Sequence, residues 1–157
     1  MNSVSPCPCD LLVTVDLLLT QDDERRIIED AAVAVTNGRI AALGGHEQLA
    51  ANFRPAKTIA LGPAVLMPGL VNAHTHVAMS FFRGLADDLP LMEWLTKHIF
   101  PREQRLTAEI VELGSLLGCA EMIRTGTTAF ADMYLLENAV MSAVDASGLR
   151  CQAGEVL

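Results

Sequence analysis

Basic residues are scarce in this chain: 11 Lys and Arg stand against 19 Asp and Glu, for a formal charge of −8 and a pI near 4.8. A nucleic-acid surface normally requires a basic patch, and no cluster of Lys and Arg appears anywhere, so that class of partner is excluded. Long apolar runs are missing too. Nothing approaches the roughly eighteen consecutive apolar residues that span a bilayer, and Met1 to Cys7 lacks the basic-then-apolar order of a signal peptide, so a soluble cytoplasmic protein is expected. Cysteine is also low. Cys7, Cys9, Cys119 and Cys151 are too few and too irregularly spaced for a disulfide framework, which implies free thiols. Cys7-Pro8-Cys9 has no second Cys or His pair nearby to complete a metal site, so this end is expected to be disordered.

The chain does have apolar content, 51% of its 157 residues, enough for the core of one ordinary domain. Its patterning falls into two regimes. Residues 10 to 61 alternate short β-type runs with turns: Leu11 to Leu19, Ala31 to Val35, Arg39 to Leu43 and a run around Thr58 to Leu61. Asn37-Gly38 joins the second run to the third. That dipeptide most readily takes positive φ at both centres of a type I′ turn, which predicts a hairpin ended by Gly44-Gly45. These strands are expected to form part of a small β-sandwich over residues 1–64.

From Val65 the order becomes strand, helix, strand, the βαβ pattern of a parallel sheet. Val65, Leu66, Met67, Leu70 and Val71 read as a strand buried on both faces, with Pro68-Gly69 placing its start at or just after the glycine. A helix is predicted from the N-cap Thr107 to about Arg124, with Leu106, Ile110, Leu113, Leu117 and Ala120 recurring every three or four residues and Gly126 closing it. Thr127 to Met133 reads as the next strand, Asn138 to Ser147 as a helix capped by Gly148, and Cys151 to Leu157 as a third strand. A complete (β/α)8 barrel needs about 250 residues. The stretch beyond His74 accommodates only about three strands and two crossovers, so any barrel is incomplete here.

The most informative stretch is Gly69-Leu70-Val71-Asn72-Ala73-His74-Thr75-His76-Val77. Side chains at i and i+2 of a strand share a face, so His74 and His76 can point at one metal ion. Taken alone, the spacing equally suits two hydrogen-bonded structural histidines. Val65 to His76 closely resembles the first barrel strand of the amidohydrolase superfamily, whose members hold one or two divalent metals inside a (β/α)8 barrel. Arg83 to Leu95 and Pro101 to Thr107 resemble the segment after that strand in 5-methylthioadenosine/S-adenosylhomocysteine deaminases and the related s-triazine chlorohydrolases, and Ala129 to Tyr134 matches their second strand.

The resemblance implies an α/β protein: the start of a metal-dependent TIM-type barrel over residues 65–157, preceded by part of the β-sandwich. It implies a hydrolase that delivers metal-activated water to an adenosine-like substrate and releases ammonia, with triazine dechlorination, guanine or cytosine deamination, or a non-catalytic fragment as alternatives. His74 and His76 would be metal ligands, for zinc first and iron as the alternative, although imidazole nitrogen also accepts nickel and copper. The remaining ligands and the acidic residues that move protons would lie beyond Leu157, so no catalytic residue is assigned within this chain. Trp94 would line the base pocket and Glu103 would hold the ribose hydroxyls, with Glu93 as the second candidate. The bland readings are a core aromatic for Trp94 and a solvated helix-start residue for Glu103. Expected partners are a small nucleoside and either the remainder of the enzyme or a homo-oligomer. Glu155 departs from the pattern, standing where some of these deaminases have an arginine that reaches substrate. Asp132 and Tyr134 suit either the pocket or structural hydrogen bonding, while His46 and His98 fit no ligand spacing.

Overall fold

The computed structural model describes residues 5–156, and the chain divides into two compact units, Met1–Pro68 and Gly69–Leu157. The first holds a five-stranded mixed sheet of order β3-β2-β1-β4, with β5 also paired to β1. These strands are β1 Cys7–Leu19, β2 Ile27–Thr36, β3 Arg39–Gly45, β4 Phe53–Ala60 and β5 Val65–Leu66. β1 runs antiparallel to β2 and parallel to β4 and β5. It contributes Cys9 and Leu12 to one apolar cluster and Val15 and Leu18 to another, which is why its sequence reads as a nearly unbroken apolar run.

The β2–β3 hairpin turns at Asn37 and Gly38 with φ of 52° and 70°, the pair of positive angles a type I′ turn demands. Asp10 reinforces it by accepting the Asn37 N–H at 2.6 Å. After the hairpin comes α1, His46–Asn52, which buries Leu49 against the first cluster. Two expectations are corrected here. Cys7-Pro8-Cys9 is not a disordered end: it opens β1, pairs with Phe53, Arg54 and Pro55 of β4, and buries Cys9. Val65 and Leu66 do not lead into the next strand but add to the first sheet beside Leu17 and Leu18, because Pro68 and Gly69 interrupt the run.

In the second unit three parallel strands follow sequence order: β6 Leu70–Thr75, β7 Thr127–Tyr134 and β8 Arg150–Glu155. They form an open three-stranded sheet, not a closed barrel. Between β6 and β7 lie a 3-10 turn Val77–Phe82, then α2 Leu91–Glu93, a π-helical turn Trp94–Ile99, α3 Phe100–Glu103 and the long helix α4 Ala108–Arg124. The π turn has a local cause. Pro101 offers no N–H to the turn before it and its ring crowds the carbonyl four residues back, so the backbone widens there. Helix α5, Glu137–Ser147, joins β7 to β8 and closes at Gly148, with φ 75°.

Helix α4 starts as predicted, the Thr107 hydroxyl accepting the Ile110 N–H at 3.3 Å. Its buried face, however, is not the leucine stripe. Val111, Gly114, Ser115, Gly118, Cys119 and Met122 are buried, whereas Ile110, Leu113 and Leu117 are exposed. The small residues allow close backbone approach: a Cβ on Gly114 would stand 2.5 Å from the Ala78 carbonyl oxygen. The leucines face outward with nothing in this unit to cover them. β6 is likewise exposed rather than buried on both faces, and among the described residues only β7 pairs with it. Among the described residues no helix is long and apolar enough to cross a membrane.

Candidate metal centre and adjoining pocket

His74 and His76 lie where β6 ends, their ring centroids 5.1 Å apart and their planes at 75°. The neighbouring strand fixes one of them. His76 Nδ1 lies 2.5 Å from the Met133 carbonyl oxygen. A carbonyl can only accept, so Nδ1 carries the proton and Nε2 keeps a free lone pair, the arrangement in which metal-ligating histidines are usually held. Two histidines on one side of the strand end, one with a fixed tautomer, suit one divalent cation as part of its ligand set. Among the described residues no third His, Cys, Asp or Glu joins them.

The segment around His76 is pinned from below. Asp132 Oδ1 accepts the Val77 N–H at 2.7 Å and the Thr75 hydroxyl, and that hydroxyl also lies 2.9 Å from the Ala131 carbonyl. Asp132 is therefore a buried support of the strand end rather than a pocket residue.

A cavity of about 360 Å³ adjoins His76, its wall including Met79, Trp94, Phe100, Glu103, Met133 and Tyr134. Trp94 and Glu103, read from the sequence as substrate contacts, thus share one cavity with a candidate metal ligand. The widened turn starting at Trp94 and the short α3 bring them there. Tyr134 both lines this space and donates its hydroxyl to Glu103 Oε1 at 2.9 Å. Burial, then that hydrogen bond and the nearby carboxylates, raise the Tyr134 hydroxyl well above its ordinary range, so it remains a donor. The Tyr134 link to Glu103 and the Met133 carbonyl on His76 are positional roles that local sequence spacing does not reveal. A partial signal was the Asp132 and Tyr134 spacing of two at a strand end, the same spacing as the histidine pair.

Glu155 sits elsewhere. Its carboxylate accepts the N–H groups of Leu136 and Glu137 at 2.9 and 2.8 Å, capping the start of α5. Glu93 pairs with Lys97 on the exposed side of its helix, and His98 lends its carbonyl to Arg102. His46 stands at the start of α1, 3.6 Å from Asp30. None of these four lines the cavity beside His76.

A histidine pair thus closes the first of three sequential parallel strands, beside a pocket that holds a carboxylate. The amidohydrolase family description matches residues 65–157, and the chain belongs to that family. It is 60% identical over 97% of its length to a 5-methylthioadenosine/S-adenosylhomocysteine deaminase of Nitratidesulfovibrio vulgaris (strain DP4), of which it covers 34%. It is 48% identical to a 5′-deoxyadenosine deaminase of Methanosarcina mazei, over 90% of this chain and 32% of the relative. Among solved structures, an adenosine deaminase from Xanthomonas campestris with bound zinc superposes with a TM-score of 0.88 at 42% identity, covering 93% of this chain and 34% of that one. The chain spans about a third of the length of the curated relatives it matches.

Proposed function

We propose that this chain forms the opening of an amidohydrolase that removes the amine of an adenosine-type nucleoside, with 5-methylthioadenosine or S-adenosylhomocysteine as the favoured substrates. The unit Met1–Pro68 then belongs to a composite β-sandwich and the unit Gly69–Leu157 begins the TIM-type barrel, in a soluble cytoplasmic enzyme. The observation that carries the reading is the fixed His76 tautomer beside a cavity that also holds Trp94 and Glu103.

In this reading His74 and His76 hold one divalent ion, zinc before iron, through imidazole nitrogens. When bound, such an ion lowers the pKa of water and supplies hydroxide near neutral pH for attack on C6 of the purine. Trp94 offers an aromatic face to the base. Glu103 offers an acceptor carboxylate to the ribose diol, and Tyr134, donating to Oε1, leaves Oε2 free for that contact. Met133 and Asp132 keep the His76 segment in register through their carbonyl and carboxylate. The later ligands and the proton-moving groups come from elements outside these 157 residues.

The deciding experiment is substrate profiling of the full-length zinc-loaded protein, with ammonia release measured for 5-methylthioadenosine, S-adenosylhomocysteine, 5′-deoxyadenosine, guanine, cytosine and a chlorinated triazine. Adenosine-type turnover at least tenfold above the others is expected. Chloride release from the triazine, or deamination confined to a free base, would replace this reading with the corresponding hydrolase.

A further inference from the structure

Three carboxyl oxygens in the second unit are buried without a hydrogen-bond partner among the described residues: Asp132 Oδ2 and both Oε atoms of Glu137. Asp132 is 4% exposed and Glu137 5%. They are enclosed within this unit already, so a further element could not reach them without repacking it. Two adjacent buried carboxylates, eased only by the Tyr134 N–H that approaches Glu137, would be strongly unfavourable, since each loses its hydration and each repels the other. The N–H at the start of α5 that might have served Glu137 is taken by Glu155. The other titratable groups around the pair are Glu155 and Cys151 from β8, Cys119 from α4 and Tyr134 from β7, none of which is a cation. Burial raises both thiols, so they remain protonated.

Asp132 has its second oxygen fully engaged. Oδ1 takes the Val77 N–H and the Thr75 hydroxyl, which belong to the residues on either side of His76. We propose that Asp132 and Glu137 share one proton, Glu137 donating it to Asp132 Oδ2, and that this acid pair is a positioning device holding the Thr75 to Val77 segment so that His76 keeps its Nε2 presented. Only the last clause rests on the metal reading of His76. Burial, followed by the charge of Asp132, pushes the Glu137 carboxyl up to about 7, in keeping with a neutral acid at this place. The folded protein therefore retains a proton that the unfolded chain releases near pH ~4.3. The resulting stability is complete below that pH and declines as pH rises through about 7.

The test uses the full-length protein stripped of metal and titrated from about pH 5 to 9. Infrared spectra should contain the carbonyl stretch of a buried protonated carboxylic acid, absent in E137Q and bleaching in wild type as pH rises past 7. Denaturant unfolding should lose stability between pH 5 and 7 in wild type, and E137Q should remove that slope, because an amide N–H donates to Asp132 at every pH. Zinc affinity should stay within about twofold of wild type in E137Q and fall roughly tenfold or more in E137A, the range seen when groups supporting a ligand are removed. A wild-type spectrum with no buried acid, or an acid band that survives E137Q, overturns the shared proton. Unchanged zinc affinity in E137A overturns the positioning role. If the variants fail to fold, the wild-type band and its pH dependence decide alone. Should zinc bind normally to His74→Ala and His76→Ala proteins while E137Q abolishes the band, the metal reading fails and the acid pair stands.

Discussion

The two units of this chain obey different rules. In the first, the buried residues are apolar, and the non-glycine residues at positive φ, Gln21, Arg25, Asp30 and Asn37, are all polar. In the second, Ser115, Asp132 and Glu137 are buried, Leu136 takes a left-handed φ of 59°, a π turn interrupts a helix, and Gly114 and Gly118 admit no Cβ without displacement. Departures from local preference cluster where a structure fixes its functional groups. What separates the units is therefore the buried polar groups and close glycine packing of the second, which adjoin the segment around His76.

The sharpest way to break this comparison is to remove one histidine from each unit. On the proposed function, His76→Ala in the full-length protein should lower deamination by roughly a thousandfold or more, about 4 kcal/mol of transition-state stabilisation lost, with bound metal falling in parallel. His46→Ala should leave both unchanged, since its one charged neighbour is the exposed Asp30. Metal analysis and ammonia assay on the purified proteins check this, and equal effects from the two variants would end the distinction.

Glycine supplies the next test. Gly114→Val drives a side chain into the Ala78 carbonyl and the Phe81 ring, contacts a Cβ would make at 2.5 and 2.9 Å. Overpacking of this kind costs about 1–3 kcal/mol and more when backbone must move, so we expect about 3 kcal/mol in denaturant unfolding. Gly45 has φ −61° and nothing within 4 Å of an added Cβ, but it is also the N-cap of α1, where alanine is disfavoured relative to glycine, so Gly45→Ala should change stability by less than about 0.5 kcal/mol. A tolerated Gly114→Val would show that α4 does not need its close approach to the Val77–Phe82 turn.

Glu103→Gln separates chemistry from packing within the second unit. It keeps the Tyr134 hydrogen bond available while removing the charge, so binding of a ribose substrate should weaken by about 1.5–3 kcal/mol. A substrate lacking the 2′ and 3′ hydroxyls should bind as before. Equal losses for the two substrates, read from KM or equilibrium binding, would show that Glu103 acts through folding.

How much of this was legible follows the same division. Asn37-Gly38, Thr107 and Gly148 announced their turn and caps because the signal is local and each residue does what its backbone preference dictates. His74 and His76 were legible because strand geometry makes i and i+2 neighbours. Helix α1 was missed, being seven residues long with one buried side chain and no periodicity to read. The helical stretch Leu91–Glu93 to Phe100–Glu103 was hidden because Pro101 argues against a helix interior and the π turn spoils a 3.6-residue period. On α4 the hydrophobic spacing identified a helix but pointed away from its buried face, since close packing there selects Gly114 and Gly118 over leucine. Tyr134 of β7 meets Glu103 of α3, and Asp132 meets Thr75 of the neighbouring strand, only in the folded structure, 31 and 57 positions apart. No local pattern encodes such contacts.

The smallest expected effect compares two residues with nearly the same backbone. Leu136 and Asn37 have φ of 59° and 52°, but asparagine tolerates the left-handed region and leucine does not. The strain at Leu136 is of order 1–2 kcal/mol, held in place by the Glu155 carboxylate on the N–H groups of Leu136 and Glu137. Leu136→Gly removes that strain, and because Leu136 is 41% exposed only part of its packing is lost. Glycine also loosens the unfolded chain, which takes back about 0.5–1 kcal/mol. A net gain of about 0.5 kcal/mol is expected, visible as a rise of one or two degrees in Tm, whereas Asn37→Gly in the first unit should leave Tm within error. Loss of stability in Leu136→Gly would mean that the leucine is retained for packing against an element beyond these residues. The strain would then be a consequence of that contact, and the two positive-φ sites would differ in their surroundings rather than in their residue.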